Sequence, residues 1–182
     1  MKRLRTRAAS AALVPVLALG SGVAFGQSAG GVRFGPYDVS SVVFVAKSEN
    51  RNEVHYAIAL DDRCVPAGAA PVFAYWRMRE RGDAVVEPLL DREVRAYGVL
   101  SQRVEGSVVH ARLRALGDRT IVFETRREDG RCVARAVATV SGRRARLTSV
   151  YVKLGFPFRV DHLLVQGVAL DDGKTVRERV SP

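Results

Sequence analysis

The chain has 182 residues, 47% of them hydrophobic and 26% charged, with 29 Lys+Arg against 19 Asp+Glu and a formal net charge of +10. That length suits one domain. Beyond the first 26 residues no run is long and apolar enough to span a bilayer as a helix and no nucleotide-binding glycine loop occurs, which excludes a protein of several membrane-spanning helices and a P-loop or dinucleotide-binding enzyme.

The first segment reads as a leader. Met1–Arg7 carries Lys2, Arg3, Arg5 and Arg7 and no acid, Ala8–Leu19 is almost wholly apolar, and small residues then lead to Ala24-Phe25-Gly26. A basic start, an apolar middle and a small-residue cleavage site describe a secretory signal peptide over residues 1–26. The alternative is a retained anchor, but a spanning helix needs about 20 apolar residues, and Pro15, Gly20, Ser21 and Gly22 interrupt this run. No cysteine follows it, which argues against a lipid anchor there. Cleavage removes four bases and no acid, which leaves a mature chain of +6. The expected location is periplasmic or secreted. A basic exported chain suits anionic envelope polymers or lipids. The plainer reading is a solvated arginine surface, since acids lie between the scattered bases.

Gln27–Ser41 is a flexible, Gly-rich leader, and residues 42–182 form one β-rich domain. Val42–Ser48 and Glu53–Leu60 read as a hairpin around Glu49-Asn50-Arg51-Asn52. A four-residue turn sets Ser48 opposite Glu53, Ala46 opposite His55 and Val45 opposite Tyr56. One face then holds Val43, Val45, Lys47, Val54, Tyr56 and Ile58 and suits a core. The other holds Val42, Phe44, Ala46, Ser48, Glu53, His55, Ala57 and Ala59, and is either closely covered or borders a cavity.

After a loop over Asp61–Pro71, Val72–Arg79 is a third strand, with Trp76 on one face and Tyr75 and Arg77 on the other. Arg81-Gly82-Asp83 is a turn, and its match to an adhesion tripeptide is the kind that chance supplies. Glu87–Gly98 is the one helix, with Pro88 in its first turn, a Leu90/Val94/Tyr97 stripe and Gly98 as its stop. Six further strands follow: Ser101–Leu116 with a bend at Gly106, Thr120–Arg126, Arg131–Val140, Arg144–Leu154, Arg159–Leu170 and Lys174–Val180. Asp-Gly and Ser-Gly turns separate several of them, and Gly155–Pro157 breaks the run. Cys132, Ala134, Ala136, Ala138 and Val140 make a small-residue face that suits close cover. The expectation is all-β: an antiparallel barrel-like sheet, or alternatively a sandwich, of about eight to nine strands with one short helix.

Two cysteines in an exported chain suggest one disulfide, Cys64–Cys132; the alternative is two buried thiols. FVAKSENRNEVHYAIALDDRC, PVFAYWRMRERG and VEPLLDREVRAYGV resemble an exported bacterial family, domain of unknown function 4833. The likeness runs from about Val42 to the C-terminus. It implies an envelope or secreted setting and carries no catalytic residues with it.

The residues themselves offer little catalysis. Ser48 and His55 fall about three strand positions apart, roughly 10 Å, too far for a nucleophile–base couple. His55, His110 and His162 stand alone on separate strands, without metal-ligand spacing. Asp61-Asp62 and Asp171-Asp172 read as turn formers. Nucleic-acid binding has only Tyr75, Arg77 and Arg79 to rest on. No cofactor is expected. The favoured reading is a non-enzymatic module that binds a small apolar or anionic ligand with Lys47, His55, Tyr75 and Trp76, against the plain reading in which Trp76 and Phe44 fill the core. The alternatives are an envelope structural or interaction module, and a hydrolase using His55.

Overall fold

The computed structural model describes residues 33–34, 37–38, 42–82, 85–155 and 159–181. The expected signal peptide, most of the leader, Asp83 of the turn tripeptide and most of the break after Gly155 lie outside them. β1 (Arg33–Phe34) and β2 (Tyr37–Asp38) form a minimal antiparallel pair. All other strands join one sheet of 11: β3 (Val42–Lys47), β4 (Glu53–Ile58), β5 (Val72–Arg77), β6 (Val86–Pro88), β7 (Val99–Glu105), β8 (Val108–Leu113), β9 (Thr120–Glu128), β10 (Arg131–Val140), β11 (Arg143–Gly155), β12 (Arg159–Ala169) and β13 (Thr175–Val180). One helix, α1 (Asp91–Tyr97), sits between β6 and β7.

The sheet is all-β and mostly antiparallel, as the alternating runs and Gly-containing turns predict. Asp129 and Gly130 both adopt positive φ, 47° and 77°, the geometry of a tight hairpin turn that matches strand twist. Two additions raise the expected count from nine strands to eleven. Ser101–Leu116 is not one bent strand: Gly106 turns with φ 61°, and β7 and β8 pair across it. Val86–Pro88 is a strand against β5 where a helical first turn was expected. A proline is tolerated there because β6 is an edge strand.

The helix is correspondingly shorter than Glu87–Gly98. It starts after Leu90, whose N–H donates to the Glu93 carboxylate at 2.7 Å, and its expected apolar stripe is not buried: Leu90 and Val94 are exposed and only Tyr97 is tucked in.

The sheet forks and does not close into a barrel. β11 is the branch point. β12 lies along one edge of β11, from Ala145 to Gly155. Its other edge serves two partners in succession. Arg143–Arg146 pair with β10 and Ser149–Tyr151 pair in parallel with β3, while on the opposite edge the pairing with β12 shifts register between Leu147 and Ser149. Two wings therefore leave the same edge, β3–β4–β5–β6 and β10–β9–β8–β7. They face each other across one core, where Phe44 on β3 stacks on Tyr56 at 4.6 Å and meets Phe123 on β9 at 6.3 Å.

Where the wings meet again, a side chain takes the place of a ladder. The Gln102 amide on β7 accepts from Val72 N–H at 2.9 Å and donates to Val72 O at 3.1 Å. That pair of bonds satisfies one residue of β5 but does not extend the sheet. The small face of β10 is covered as expected, with Ala136, Ala138 and Val140 buried in the core.

Cys64 and Cys132 are joined, with Cα atoms 5.0 Å apart across 68 residues of chain. The bond ties the loop after β4 to the start of β10, one wing to the other. Thr125 reinforces the tie by donating to Cys64 O at 2.7 Å. On the chain-entropy model a loop of that length stabilises the fold by about 4 kcal/mol. Replacing both cysteines by alanine should lower unfolding free energy by about that amount in urea titration, and reductant should bring the native protein to the same midpoint. An unchanged midpoint would show that the remaining contacts between the wings already hold them together.

Candidate functional site

The β3–β4 turn has five residues, Ser48–Asn52, and sets Lys47 opposite Glu53 and Phe44 opposite Tyr56. This is one residue from the expected pairing, and a one-residue slip exchanges the faces of a strand. Phe44 and Ala46 therefore enter the core with Val54, Tyr56 and Ile58, while Val45 and Lys47 share the outer face with Glu53 and His55. Two local features set the slip. Ser48 leaves the strand to donate to Asn50 Oδ1 at 2.7 Å, and an irregularity between Val42 and Phe44 absorbs the extra residue at the far end.

Glu53 is the centre of that outer face. Its carboxylate is 2.8 Å from Lys47 Nζ, 2.9 Å from His55 Nε2 and 2.8 Å from Arg79 Nε. Burial pushes the Glu53 carboxyl up, but bonds from Lys47, His55 and Arg79 outweigh it and hold the group at about 2. A carboxylate only accepts, so the proton of neutral His55 sits on Nε2. Nδ1 then faces the Tyr75 hydroxyl at 3.5 Å. Burial lowers the His55 pKa against the opposing pull of Glu53, with Arg77 and Arg79 adding to the lowering. Burial also pushes Tyr75 up to about 12.

Of the four residues expected to bind a ligand, the structure gathers Lys47, His55 and Tyr75 around Glu53. His55 and Tyr75 are only 3% and 1% exposed, and Ala57 beside them is fully buried. Trp76 lies behind the sheet, partly buried against the main core and edge-on to Tyr97 at 6.0 Å. A carboxylate fixed near 2 is too weak a base for proton transfer at neutral pH. The arrangement acts as an electrostatic clamp across β3, β4 and the segment after β5. His110 and His162 pair separately, with Glu105 at 3.3 Å and Asp161 at 2.7 Å.

A different part of the molecule offers room. A cleft of about 570 Å³ lies between the last turn of α1, the 3-10 turn Arg114–Leu116, and the ends of β11, β12 and β13. Leu116, Val152 and Leu163 are buried and form its floor, with Tyr97, Val160 and Val180 around them. Its walls are anchored. Tyr56 donates to Tyr97 O at 2.7 Å, and Arg114 N–H donates to Gly98 O at 3.0 Å, which locks α1 to the 3-10 turn.

Three arginines line this cleft. Arg119 forks onto Glu178 at 2.7 and 3.0 Å, and that bond holds the Glu178 carboxyl below its ordinary range. Arg95 and Arg114 have no carboxylate partner among the described residues, and Asp118, the acid lining the cleft, is paired with Arg112. Sequence reasoning passed over these positions. Arg95 reads as a solvated helix residue and Arg114 as the end of a strand, and nothing local links them to Val152 or Leu163.

The model of the family described as domain of unknown function (DUF4833) matches residues 43–179. That span covers most of the chain, and the chain belongs to this family. No curated protein and no solved structure matches it.

The Glu53 cluster should make the fold sensitive to acid. Its folded pKa lies below the ordinary 4.5, so its contribution is complete above pH 4.5 and is lost as pH falls towards 2. His55, also lowered from 6.5, acts in the same direction and begins to weaken the fold below that pH. Glu53→Gln should cost about 3 kcal/mol at pH 7 and flatten the stability profile between pH 4.5 and 2 in unfolding measured across pH. An unchanged acid slope would place the sensitivity in other carboxylates.

Proposed function

We propose that this member of the DUF4833 family is a non-enzymatic small-ligand-binding module of the bacterial periplasm or cell exterior, and that its ligand seats in the cleft beside α1. The observation that carries the reading is the cleft itself. Its apolar floor is continuous with the core, its walls are held by hydrogen bonds to backbone carbonyls, and its volume of about 570 Å³ falls in the range of sites for one small molecule, roughly 300–1,000 Å³. The basic and then apolar leader supports export. The Cys64–Cys132 bond is compatible with an oxidising compartment, and no helix among the described residues is long and apolar enough to cross a membrane.

The cleft supports this reading better than the His55 face does. His55 is enclosed between Glu53 and Tyr75, so its ring has no open side to offer a substrate, and the same enclosure weakens the hydrolase alternative. The interaction-module alternative keeps one supporting feature. The outward side of β11–β13 carries Arg146, Arg177 and Arg179 around exposed Leu164.

Two measurements test the proposal. Native mass spectrometry of freshly purified protein should show added mass, and the uncharged fluorophore N-phenyl-1-naphthylamine should bind with increased emission. Val160→Trp places a bulky ring at a position 40% exposed. It should abolish both signals while changing stability by about 0.5 kcal/mol or less. Absence of both signals in the native protein, or their survival in Val160→Trp, would remove the cleft as the ligand seat and leave the outward arginine face as the functional surface.

A further inference from the structure

Resting on that assignment of the ligand seat, we infer that the ligand is an amphiphile: an apolar body over Leu116, Val152 and Leu163, and one anionic head held by Arg95 and Arg114. The inference comes from the charges around the cleft. Arg119 is neutralised by Glu178, whose carboxylate also accepts from Ser141 N–H at 2.7 Å. It is further committed by a bond from Nη1 to Thr139 O at 2.6 Å, so it serves the fold. Asp118 is taken by Arg112. Arg95 and Arg114 remain, both lining the cleft beside its apolar floor and both without a carboxylate partner among the described residues.

They come from two elements that the structure fastens together, since Gly98 at the end of α1 accepts from Arg114 N–H. Two guanidiniums on a common frame suit one planar or tetrahedral anion, because each presents a fork of donors to its oxygens. A neutral ligand would cover the apolar floor but leave both cations without a counter-charge. A cationic ligand would meet like charge. A fully hydrophilic anion would leave the floor of Leu116, Val152 and Leu163 uncovered. Only a molecule with both parts uses the whole cleft. The excess of bases over acids in the chain adds a field that draws anions towards it.

The test is isothermal titration of the folded chain with decanoate, 1-decanol and decyltrimethylammonium. Decanoate should bind about a hundred-fold more tightly than decanol, roughly ten-fold for each of the two arginines that hydrogen-bond its charged group, and the ammonium compound should bind weakest. Affinity should rise about four-fold for each methylene added from octanoate to decanoate and fall with added salt. Arg95→Gln and Arg114→Gln should each weaken decanoate about ten-fold, leave N-phenyl-1-naphthylamine binding unchanged, and in combination make acid and alcohol equal.

Arg146→Gln, a base on the far side of the sheet, should change nothing. An equal loss in that variant would show a general charge effect and overturn the assignment to Arg95 and Arg114. Equal binding of decanoate and decanol to the native chain would overturn the anionic head while leaving the ligand seat intact. Failure of all three compounds and of the neutral fluorophore would overturn both.

Discussion

One edge of β11 shared by two strands governs this structure. A strand edge offers a single row of donors and acceptors, and here the row is divided: β10 takes the first part and β3 the middle. From that division the two wings must diverge and then face each other, since both present an apolar face to the same side of β11. The core, the position of α1 and the cleft all follow. The devices that secure the wings are side-chain or covalent links rather than further ladder: the Gln102 amide on Val72, the Tyr56 hydroxyl on Tyr97 O, and the Cys64–Cys132 bond. Each satisfies a polar group or restricts the chain without the register demands of another strand pair.

Charge does a separate job on the outer face. Lys47 opposite Glu53 is a favourable cross-strand pair, and the alternative register would put Ser48 there and turn Phe44 away from the core. Hydrophobic burial and ion pairing therefore choose the same five-residue turn, the kind of agreement between levels that gives a sequence one native state. A buried carboxylate is costly unless its oxygens are paired. Glu53 has Lys47, His55 and Arg79 at hydrogen-bond distance, so it serves as a fixed counter-ion and not as a reactive acid.

The cleft is a by-product of the same architecture. The ends of β11, β12 and β13 overrun the wings, and α1 and the 3-10 turn after β8 close over them only in part. What remains is an apolar hollow whose rim is set by short elements. The two arginines on that rim are ordinary in sequence and distinctive because they border an apolar hollow and have no carboxylate partner among the described residues, while Arg119 in the same cleft does.

What the sequence determined by itself was local. The alternation in Arg131–Val140 predicts which side of β10 is buried, Asp129-Gly130 predicts the turn before it, and Val54, Tyr56 and Ile58 declare the core face of β4, because period-two burial and turn angles depend on neighbouring residues alone. The family resemblance was legible in the same contiguous strings. The cysteine pairing was open until the structure joined Cys64 to Cys132.

Tertiary structure decided what depends on distant partners. The β3 register turned on Ser48 leaving the strand. The strandedness of Val86–Pro88 turned on β5 lying beside it, and the fork turned on β11 accepting both β10 and β3. The candidate site belongs to this second group. Arg95, Arg114, Val152 and Leu163 meet only after the wings have folded over, and no property of any one segment announces an apolar hollow or an arginine without a counter-charge.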